Sequence, residues 1–267
     1  MLLPEWTSIP CPVIGMLHAA ALPGACDFEG DFAAVRDSIL RDAENLIAGG
    51  VNGLMLENFG DSPFYPSRVP AVTVACMTTL ATDLLRQFDV PLGINVLRND
   101  GLSALAVAMA TGASFIRVNV LCGARVADQG LLQAIAHDLL RERSTLGAAN
   151  VRIWADVDVK HSAALAPRAL VDEVHDLVLR GKADAVIVSG SATGQPIELD
   201  TLRTVKNAAA AVPVLIGSGV TAATAPEWAP YSDGMIVGTS LKQDGLASNP
   251  VDIDRVKALV ASLKSKT

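Results

Sequence analysis

The spacing of apolar residues constrains this chain more than any other feature. Eight short runs rich in Val, Ile and Leu alternate with eight longer segments of helical periodicity. The predicted strands are residues 12–18, 53–58, 91–97, 114–120, 152–160, 185–190, 212–218 and 234–240. The predicted helices are residues 31–49, 68–88, 101–111, 128–146, 168–180, 198–211, 222–228 and 251–264. Such alternation implies parallel strands, and 267 residues match one eightfold barrel. We therefore predict an α/β protein with a single (β/α)8 domain, the TIM-barrel fold, over residues 1–267.

An open, doubly wound sheet is the competing architecture for alternating strands and helices. That architecture usually carries a dinucleotide-binding or P-loop fingerprint. This sequence has no GxGxxG after the first predicted strand and no GxxxxGK[ST]. The closed barrel is therefore favoured, and we expect its working site at the C-terminal ends of the strands.

Charge and cysteine usage exclude several classes of protein. The formal net charge is −7 and no cluster of Lys and Arg occurs, so we expect no nucleic-acid partner. The four cysteines form no CxxC pair, which argues against a zinc clip and fits a reducing compartment. The first 15 residues do not resemble a signal peptide, and no apolar run approaches the ~20 residues of a membrane helix. We expect a cytoplasmic protein without a transmembrane segment.

The alternation of side chains along each strand predicts what faces the inside of the barrel. In the fifth predicted strand, Ile153, Ala155, Val157 and Val159 form the apolar face that packs on helices. Applied to the other strands, the same rule leaves polar side chains inside, near the C-terminal ends. The predicted inward polar set is Glu57, Asn95, Arg117, Asn119, Asp156, Asp158, Lys160 and Ser189, with His18 ending the first strand.

Barrel interiors are otherwise apolar, so this polar set needs an explanation. One interpretation is a structural ion network. The other is a site in which Glu57, Asp156, Asp158, Lys160 and His18 are catalytic. Lys160 suits proton transfer or a Schiff base with Asp158 as partner, but neighbouring carboxylates would raise the lysine pKa, which favours ion pairing or substrate orientation. Further substrate contacts are predicted at Asn58, Asn95, Arg117, Asn119 and His161.

Glycine-rich segments follow the last three predicted strands. Barrels often bind phosphate between the loops after the seventh and eighth strands, through backbone N–H groups. A single such loop is more often an ordinary turn, but two in these positions predict an anion site. The predicted phosphate-binding residues are Ser189, Gly190, Gly217, Ser218, Gly219, Gly238 and Thr239, with residues 191–194 and Lys242 nearby.

No cofactor is predicted, and two alternatives stay open. His18, Glu57, Asp156, Asp158 and His161 include the ligand types of a divalent metal site, although His18 alone also reads as a hydrogen-bonding rim residue. The loops 19–30 and 59–70 are long, and the second contains Phe59, Phe64 and Tyr65. The two loops fit either lids over a pocket or contacts between subunits. We expect the protein to form a homo-oligomer.

Several motifs together resemble one known family. They are Gly15–His18 with Leu22–Gly24, Gly53–Asp61, Ala155–His161, Val188–Gly190 and Thr193–Gly194. These segments are similar to the BtpA/SgcQ family. The resemblance covers nearly the whole chain and implies a barrel of the ribulose-phosphate-binding kind. It also implies site positions at His18, Glu57, Asn58, Asp156, Lys160, His161, Ser189 and Gly190, whereas at Asp158 the family often has His.

Two hypotheses about function follow. The first is an enzyme of isomerase or lyase type that acts on a phosphorylated sugar or nucleoside. The second is a non-catalytic assembly or stability factor, because the cyanobacterial namesake of the family is associated with photosystem I biogenesis. Only the enzyme hypothesis requires the carboxylates inside the barrel. It predicts that Glu57→Gln and Asp156→Asn abolish function in a cell assay, whereas an assembly factor should tolerate both substitutions.

Overall fold

Eight parallel strands close into a barrel in a computed structural model that describes residues 1–190 and 197–264. The barrel strands are β1 (Val13–His18), β2 (Gly53–Glu57), β3 (Leu92–Asn95), β4 (Phe115–Val118), β7 (Arg152–Val157), β9 (Ala185–Val188), β10 (Val214–Ile216) and β11 (Gly234–Val237). Three further strands, β5 (Ala124–Ala127), β6 (Gly130–Gln133) and β8 (Ser162–Ala164), form a small antiparallel sheet. Around the barrel the order is β1-β11-β10-β9-β7-β4-β3-β2. The predicted eightfold barrel is confirmed.

Helices connect successive barrel strands, as a parallel sheet requires. They are α1 (Phe32–Gly49), α2 (Ala71–Gln87), α3 (Gly101–Thr111), α4 (Ala136–Thr145), α5 (Leu170–His175), α6 (Leu199–Ala208), α7 (Ala225–Trp228) and α8 (Ile253–Lys264). Aspartate side chains cap the first turns of α1, α3 and α8, the last through Asp252. Asp31 accepts a hydrogen bond from the backbone N–H of Ala34 and Asp100 accepts one from Ser103, each at 3.0 Å. Within the residues described, no helix is both long enough and apolar enough to cross a membrane.

Two predicted boundaries were wrong. The helix predicted over residues 128–146 begins only at Ala136, because the preceding residues form the β5–β6 hairpin. In that hairpin Val126 lies opposite Leu131, and both side chains are exposed. The next pair, Arg125 opposite Leu132, is buried on the other face of the sheet. The strand predicted over residues 152–160 ends at Val157, because Asp158 adopts a φ of 50° that no strand residue adopts.

The two faces of the barrel strands pack into separate cores, as alternation predicted. Ile153, Ala155 and Val157 belong to the core between the barrel and its helices. Trp154 belongs to a second core inside the barrel, where its ring stacks on Phe115 with centroids 3.7 Å apart. This inner core fills the N-terminal half of the barrel and leaves the C-terminal half for polar side chains.

The segment that precedes the first strand closes the bottom of the barrel. Leu2, Leu3 and Trp6 are buried in the inner core. The Trp6 ring lies 6.1 Å from that of Trp154, and its Nε1 donates a hydrogen bond to the backbone oxygen of Asn52 at 3.0 Å. The barrel is therefore open at its C-terminal end and sealed at the other.

Gly93 makes room for the inner core. A Cβ at this position would lie 1.9 Å from Cε2 of Phe115. We expect Gly93→Ala to lower the free energy of unfolding by about 3 kcal/mol, because the buried ring has no space to retreat. In a Phe115→Leu background the same change should cost at most about 1 kcal/mol. Chemical denaturation of the four proteins measures both values, and equal costs in the two backgrounds would contradict this packing.

Candidate active site

A cavity of about 380 Å³ opens at the C-terminal ends of the barrel strands. It brings together charged side chains from several strand ends and the glycine-rich loops after β10 and β11. The residues used below that line it are His18, Glu57, Phe59, Arg98, Arg117, Asn119, Lys160, His161, Gly217 to Gly219 and Gly238 to Ser240. Most of the predicted site residues thus share one cavity.

A two-pronged ion pair forms the floor of the site. The Arg117 guanidinium donates from Nε to Asp156 Oδ2 at 2.8 Å and from Nη2 to Oδ1 at 2.7 Å. Asn119 Nδ2 donates to the same carboxylate at 2.8 Å, and Ser189 Oγ donates at 3.4 Å. Burial alone would lower the pKa of Arg117, but Asp156 more than offsets this effect and raises it. Both Asp156 oxygens are therefore occupied in holding Arg117 and Asn119.

Glu57 is the carboxyl group that remains available to a ligand. It is buried, yet its carboxyl oxygens make no hydrogen bond to any residue in the described ranges. Burial raises the pKa of Glu57, against the opposing effect of Arg117 and Lys160. A carboxyl group with a raised pKa can hold a proton near neutral pH and release it to a substrate.

His18 lies beside Glu57 and is neutral. Its Nε2 is 3.9 Å from Glu57 Oε1, and its ring lies 4.7 Å from the ring of Phe59. Burial, reinforced by the positive charges of Lys242 and Lys160, lowers the pKa of His18 to about 3. Gly238 makes room for the His18 ring, because a Cβ at position 238 would lie 2.8 Å from Cε1 of His18. A neutral imidazole next to a protonatable carboxyl group is suited to relaying a proton.

Lys160 reaches the cavity from the loop after β7. The backbone oxygen of Lys160 accepts a hydrogen bond from Arg98 Nη2 at 2.6 Å. Burial and the charge of Arg117 lower the pKa of Lys160, so the predicted upward shift was wrong. The carboxylates of Glu57 and Asp156 oppose this effect without overcoming it, because burial is the largest contribution and Arg117 and Arg98 add to it.

Asp158 does not face the lumen, and that prediction was wrong. Its side chain is 68% exposed and forms an ion pair with Arg125 of β5. The reason is the end of β7 at Val157, after which the left-handed backbone of Asp158 breaks the alternation. His161 follows in a second left-handed position and lies exposed at the mouth of the cavity.

Two predicted substrate contacts instead support the surrounding backbone. Asn58 donates to Asp61 Oδ2 at 3.0 Å and accepts from the backbone N–H of Leu97 at 2.7 Å. Asn95 donates to the backbone oxygen of Arg117 at 3.2 Å. Neither lines the cavity, whereas Asn119 does and keeps a buried Oδ1 without a hydrogen-bond partner in the part of the chain described.

The two glycine-rich loops contribute unpaired backbone donors. The N–H groups of Ser218, Gly219, Gly238, Thr239 and Ser240 make no hydrogen bond to residues 1–190 or 197–264. By contrast, the N–H of Gly217 donates to the backbone oxygen of Val188, and that of Gly190 donates to Ser218 Oγ at 2.9 Å. Gly190 and Ser189 do not line the cavity. Residues 191–194 lie outside the described residues.

Lys242 fixes the second of these loops instead of facing the cavity. It is 1% exposed, and its ammonium group forms an ion pair with Asp42 of α1. Asp42 also accepts a hydrogen bond from the backbone N–H of Val251 at 2.8 Å. The loop after β11 is thereby tied to the helix layer.

The candidate metal ligands do not converge. Asp156 is engaged by Arg117, and Asp158 turns away from the cavity. Within the described ranges, no group of three or more His, Cys, Asp or Glu side chains is arranged to hold a metal ion.

Comparison with known proteins places the chain in a family. A sequence model of the BtpA family matches residues 10–265. This chain belongs to the BtpA family. It is 44% identical over 259 residues to the photosystem I biogenesis protein BtpA of Synechocystis, covering 96% of this chain and 90% of that protein. An uncharacterized protein of Thermococcus kodakarensis is also 44% identical, over 95% of both chains. The family resemblance inferred from the motifs is confirmed.

Solved structures of low sequence identity share the fold of this BtpA-family protein. N-(5'-phosphoribosyl)anthranilate isomerase of Pyrococcus furiosus superposes with a TM-score of 0.58 at 12% identity, over 96% of this chain and 99% of that one. KGPDC of Streptococcus mutans gives a TM-score of 0.60 at 12% identity, over 96% and 98%. At this level of identity the likeness concerns the barrel alone.

Arg98 is the main site residue that sequence reasoning missed. Its guanidinium is buried and lines the cavity of this BtpA-family protein. The signal was its position, since it directly follows the third predicted strand and barrel sites are built at strand ends. Alternation could not find it, because β3 ends at Asn95 and the intervening residues no longer follow the strand.

The neutral state of His18 has a measurable cost at low pH. Between pH 6.5 and its folded pKa of about 3, unfolded His18 binds a proton that the folded protein excludes. Stability is therefore lost as the pH falls, and lowering the pH from 7 to 5 should cost about 2 kcal/mol through this residue. Urea denaturation at several pH values should show a correspondingly smaller loss in His18→Gln. The exposed His137 is the control, and a His137→Gln protein that matched His18→Gln would contradict the assignment.

Proposed function

We propose that this BtpA-family protein is an enzyme that binds a phosphorylated small molecule and catalyses proton transfer of isomerase or lyase type. One observation carries the proposal. A buried, unpaired carboxyl group, Glu57, faces the same cavity as five unpaired backbone N–H groups. Catalytic proton transfer needs the first feature, and phosphate binding uses the second.

The phosphate is proposed to bind at the loops after β10 and β11. Backbone N–H groups at Ser218, Gly219, Gly238, Thr239 and Ser240 would donate to its oxygens. The hydroxyls of Ser218 and Thr239 add donors that phosphate accepts, whereas the hydroxyl of Ser240 donates to the backbone oxygen of Val220 at 2.6 Å. The name of the structurally similar Pyrococcus furiosus isomerase states a phosphoribosyl group, which supports a phosphorylated ligand by analogy of fold.

Glu57 is proposed to move the proton at the other end of the ligand. Ionised Glu57 would take a proton from a carbon beside a carbonyl group, and protonated Glu57 would return it to a neighbouring atom. Burial raises the pKa of Glu57, which favours a carboxyl group that can both take up and return a proton. Lys160 and Asn119 line the same cavity and suit orienting the ligand, while Asp156 holds Arg117 in place. A Schiff base at Lys160 remains a second route, which borohydride reduction would trap.

A role in assembly is the second candidate function. It is favoured by the name of the Synechocystis relative and by an exposed apolar row on the small sheet. In that row Val126 of β5 and Leu131 of β6 lie opposite each other, 46% and 47% exposed. Such a row fits a protein contact, including the predicted homo-oligomer. An assembly role predicts that Glu57→Gln has no effect in a cell-based assay of function, whereas Val126→Lys abolishes function.

Thermal unfolding is the first test of the enzyme proposal. Phosphorylated sugars and nucleotides would be screened with their unphosphorylated counterparts as controls. A ligand at a hundred times its Kd stabilises by about 2.7 kcal/mol, which raises the Tm by several degrees at roughly 2–4 °C per kcal/mol. We expect such shifts only with phosphorylated compounds, and Thr239→Glu should abolish them by placing a carboxylate in the phosphate site. Equal shifts without the phosphate would contradict the proposed site.

Deuterium exchange tests the chemistry without knowledge of the product. Compounds that raise the Tm would be incubated with the protein in D₂O and followed by NMR. We expect deuterium to enter one carbon-bound position, because Glu57 exchanges its proton with solvent. Glu57→Gln should retain the thermal shift and slow this exchange by at least about 100-fold. Exchange at the wild-type rate in Glu57→Gln would show that another group is the base.

A further inference from the structure

One buried cation in the described chain lacks a carboxylate partner. Four basic side chains are buried there: Arg98, Arg117, Arg125 and Lys242. Arg117 is paired with Asp156, Arg125 with Asp158 and Glu173, and Lys242 with Asp42. Arg98 is 6% exposed and has no carboxylate within 4 Å in the part of the chain described. Because burying an unpaired charge is costly, the exception calls for a partner that residues 1–190 and 197–264 do not supply.

The free donors of Arg98 face the cavity together with Lys160. Arg98 donates from Nη2 to the backbone oxygen of Lys160, and the other N–H groups of its guanidinium have no partner among the described residues. The ammonium group of Lys160 likewise has no ion pair with a described residue. Both residues line the cavity that holds Glu57. The Arg98 side chain and the Lys160 backbone are thus in contact at one wall of the cavity, to which both residues contribute a cation, and a planar guanidinium fork suits an oxyanion.

This wall lies across the barrel from the glycine-rich loops. Arg98 follows β3, which is three strands from β11 and four from β10 around the closed barrel of eight. The bond from Arg98 to Lys160 brings the loop after β7 to the same side as Arg98. Glu57, at the end of β2, faces the cavity between the two walls. A ligand held at both ends would therefore pass in front of Glu57.

We infer that the ligand carries two acidic groups: a phosphate at the loops after β10 and β11, and a carboxylate or second phosphate held by Arg98 and Lys160. This inference rests on the proposed function, since it assigns the opposite end of the same ligand. Arg98 then makes the protein selective for ligands with two acidic groups, because a ligand with only one leaves the buried guanidinium without an anion.

Matched pairs of ligands test the second subsite. Binding of 3-phosphoglycerate would be compared with glycerol 3-phosphate, and fructose 1,6-bisphosphate with fructose 6-phosphate, by isothermal titration calorimetry. The members of each pair differ chiefly in the second acidic group, and the two pairs distinguish carboxylate from phosphate. We expect the doubly acidic member of at least one pair to bind about tenfold tighter or better.

Substitution of Arg98 tests whether the preference for ligands with two acidic groups arises at the wall formed by Arg98 and Lys160. Arg98→Met should reduce the preference for the ligand with two acidic groups to less than about threefold. The Kd of the ligand with one acidic group should stay within about twofold of the wild-type value. Arg86→Met on the exposed end of α2 is the matched control and should change neither value. If Arg98→Met does not fold, Arg98→Lys retains the charge without the fork and should lower the preference several-fold.

The outcomes separate the inference from the proposed function. Equal binding within both pairs, or a preference that survives Arg98→Met, overturns the second subsite and leaves the phosphate site intact. No binding of any of the four compounds, with no response to phosphorylated compounds in the thermal screen, overturns both. A crystal grown in phosphate should contain one phosphate ion at each wall, and an ion at the glycine-rich loops alone argues against the role of Arg98.

Discussion

The ion pair between Arg117 and Asp156 is the interaction on which the rest of the site depends. It lies where the apolar filling of the barrel ends, directly above the stacked rings of Phe115 and Trp154 along β4 and β7. The two hydrogen bonds satisfy charges that would otherwise be too costly to bury, and the same carboxylate orients Asn119. Because this pair is neutral overall, the charges above it are set by Glu57, Arg98 and Lys160 alone.

The resulting site has a charge opposite in sign to that of the whole protein. The chain has a formal net charge of −7, yet basic side chains outnumber carboxylates around the cavity. Burial and this local excess together lower the pKa of His18 and that of Lys160, whereas burial raises the pKa of Glu57 against the effect of the excess. An acidic surface with a basic cavity admits small anions while the exterior discourages larger polyanions.

Sequence reasoning succeeded where strands are regular and failed where they end. Alternation placed Glu57, Arg117 and Asp156 inside the barrel, because a buried face forces every second side chain of a strand inward. It failed at Asp158, whose left-handed backbone cannot be read from residue type. It also missed the β5–β6 hairpin, because Leu131 and Leu132 fit a helix as well as a strand. Arg98 and Asn58 lie in irregular segments whose course depends on contacts distant in sequence.

The closed bottom of the barrel bears on how the chain is assembled during synthesis. Trp6 is synthesised more than a hundred residues before Phe115 and Trp154, the residues whose rings it packs against. The apolar side chains of Leu2 and Leu3 share that inner core with strands as late as β11. The N-terminal segment must therefore wait, unburied, until nearly all of the chain has been made. A substitution at Leu2, Leu3 or Trp6 would therefore act on this late step of folding, far from the cavity at the other end of the barrel.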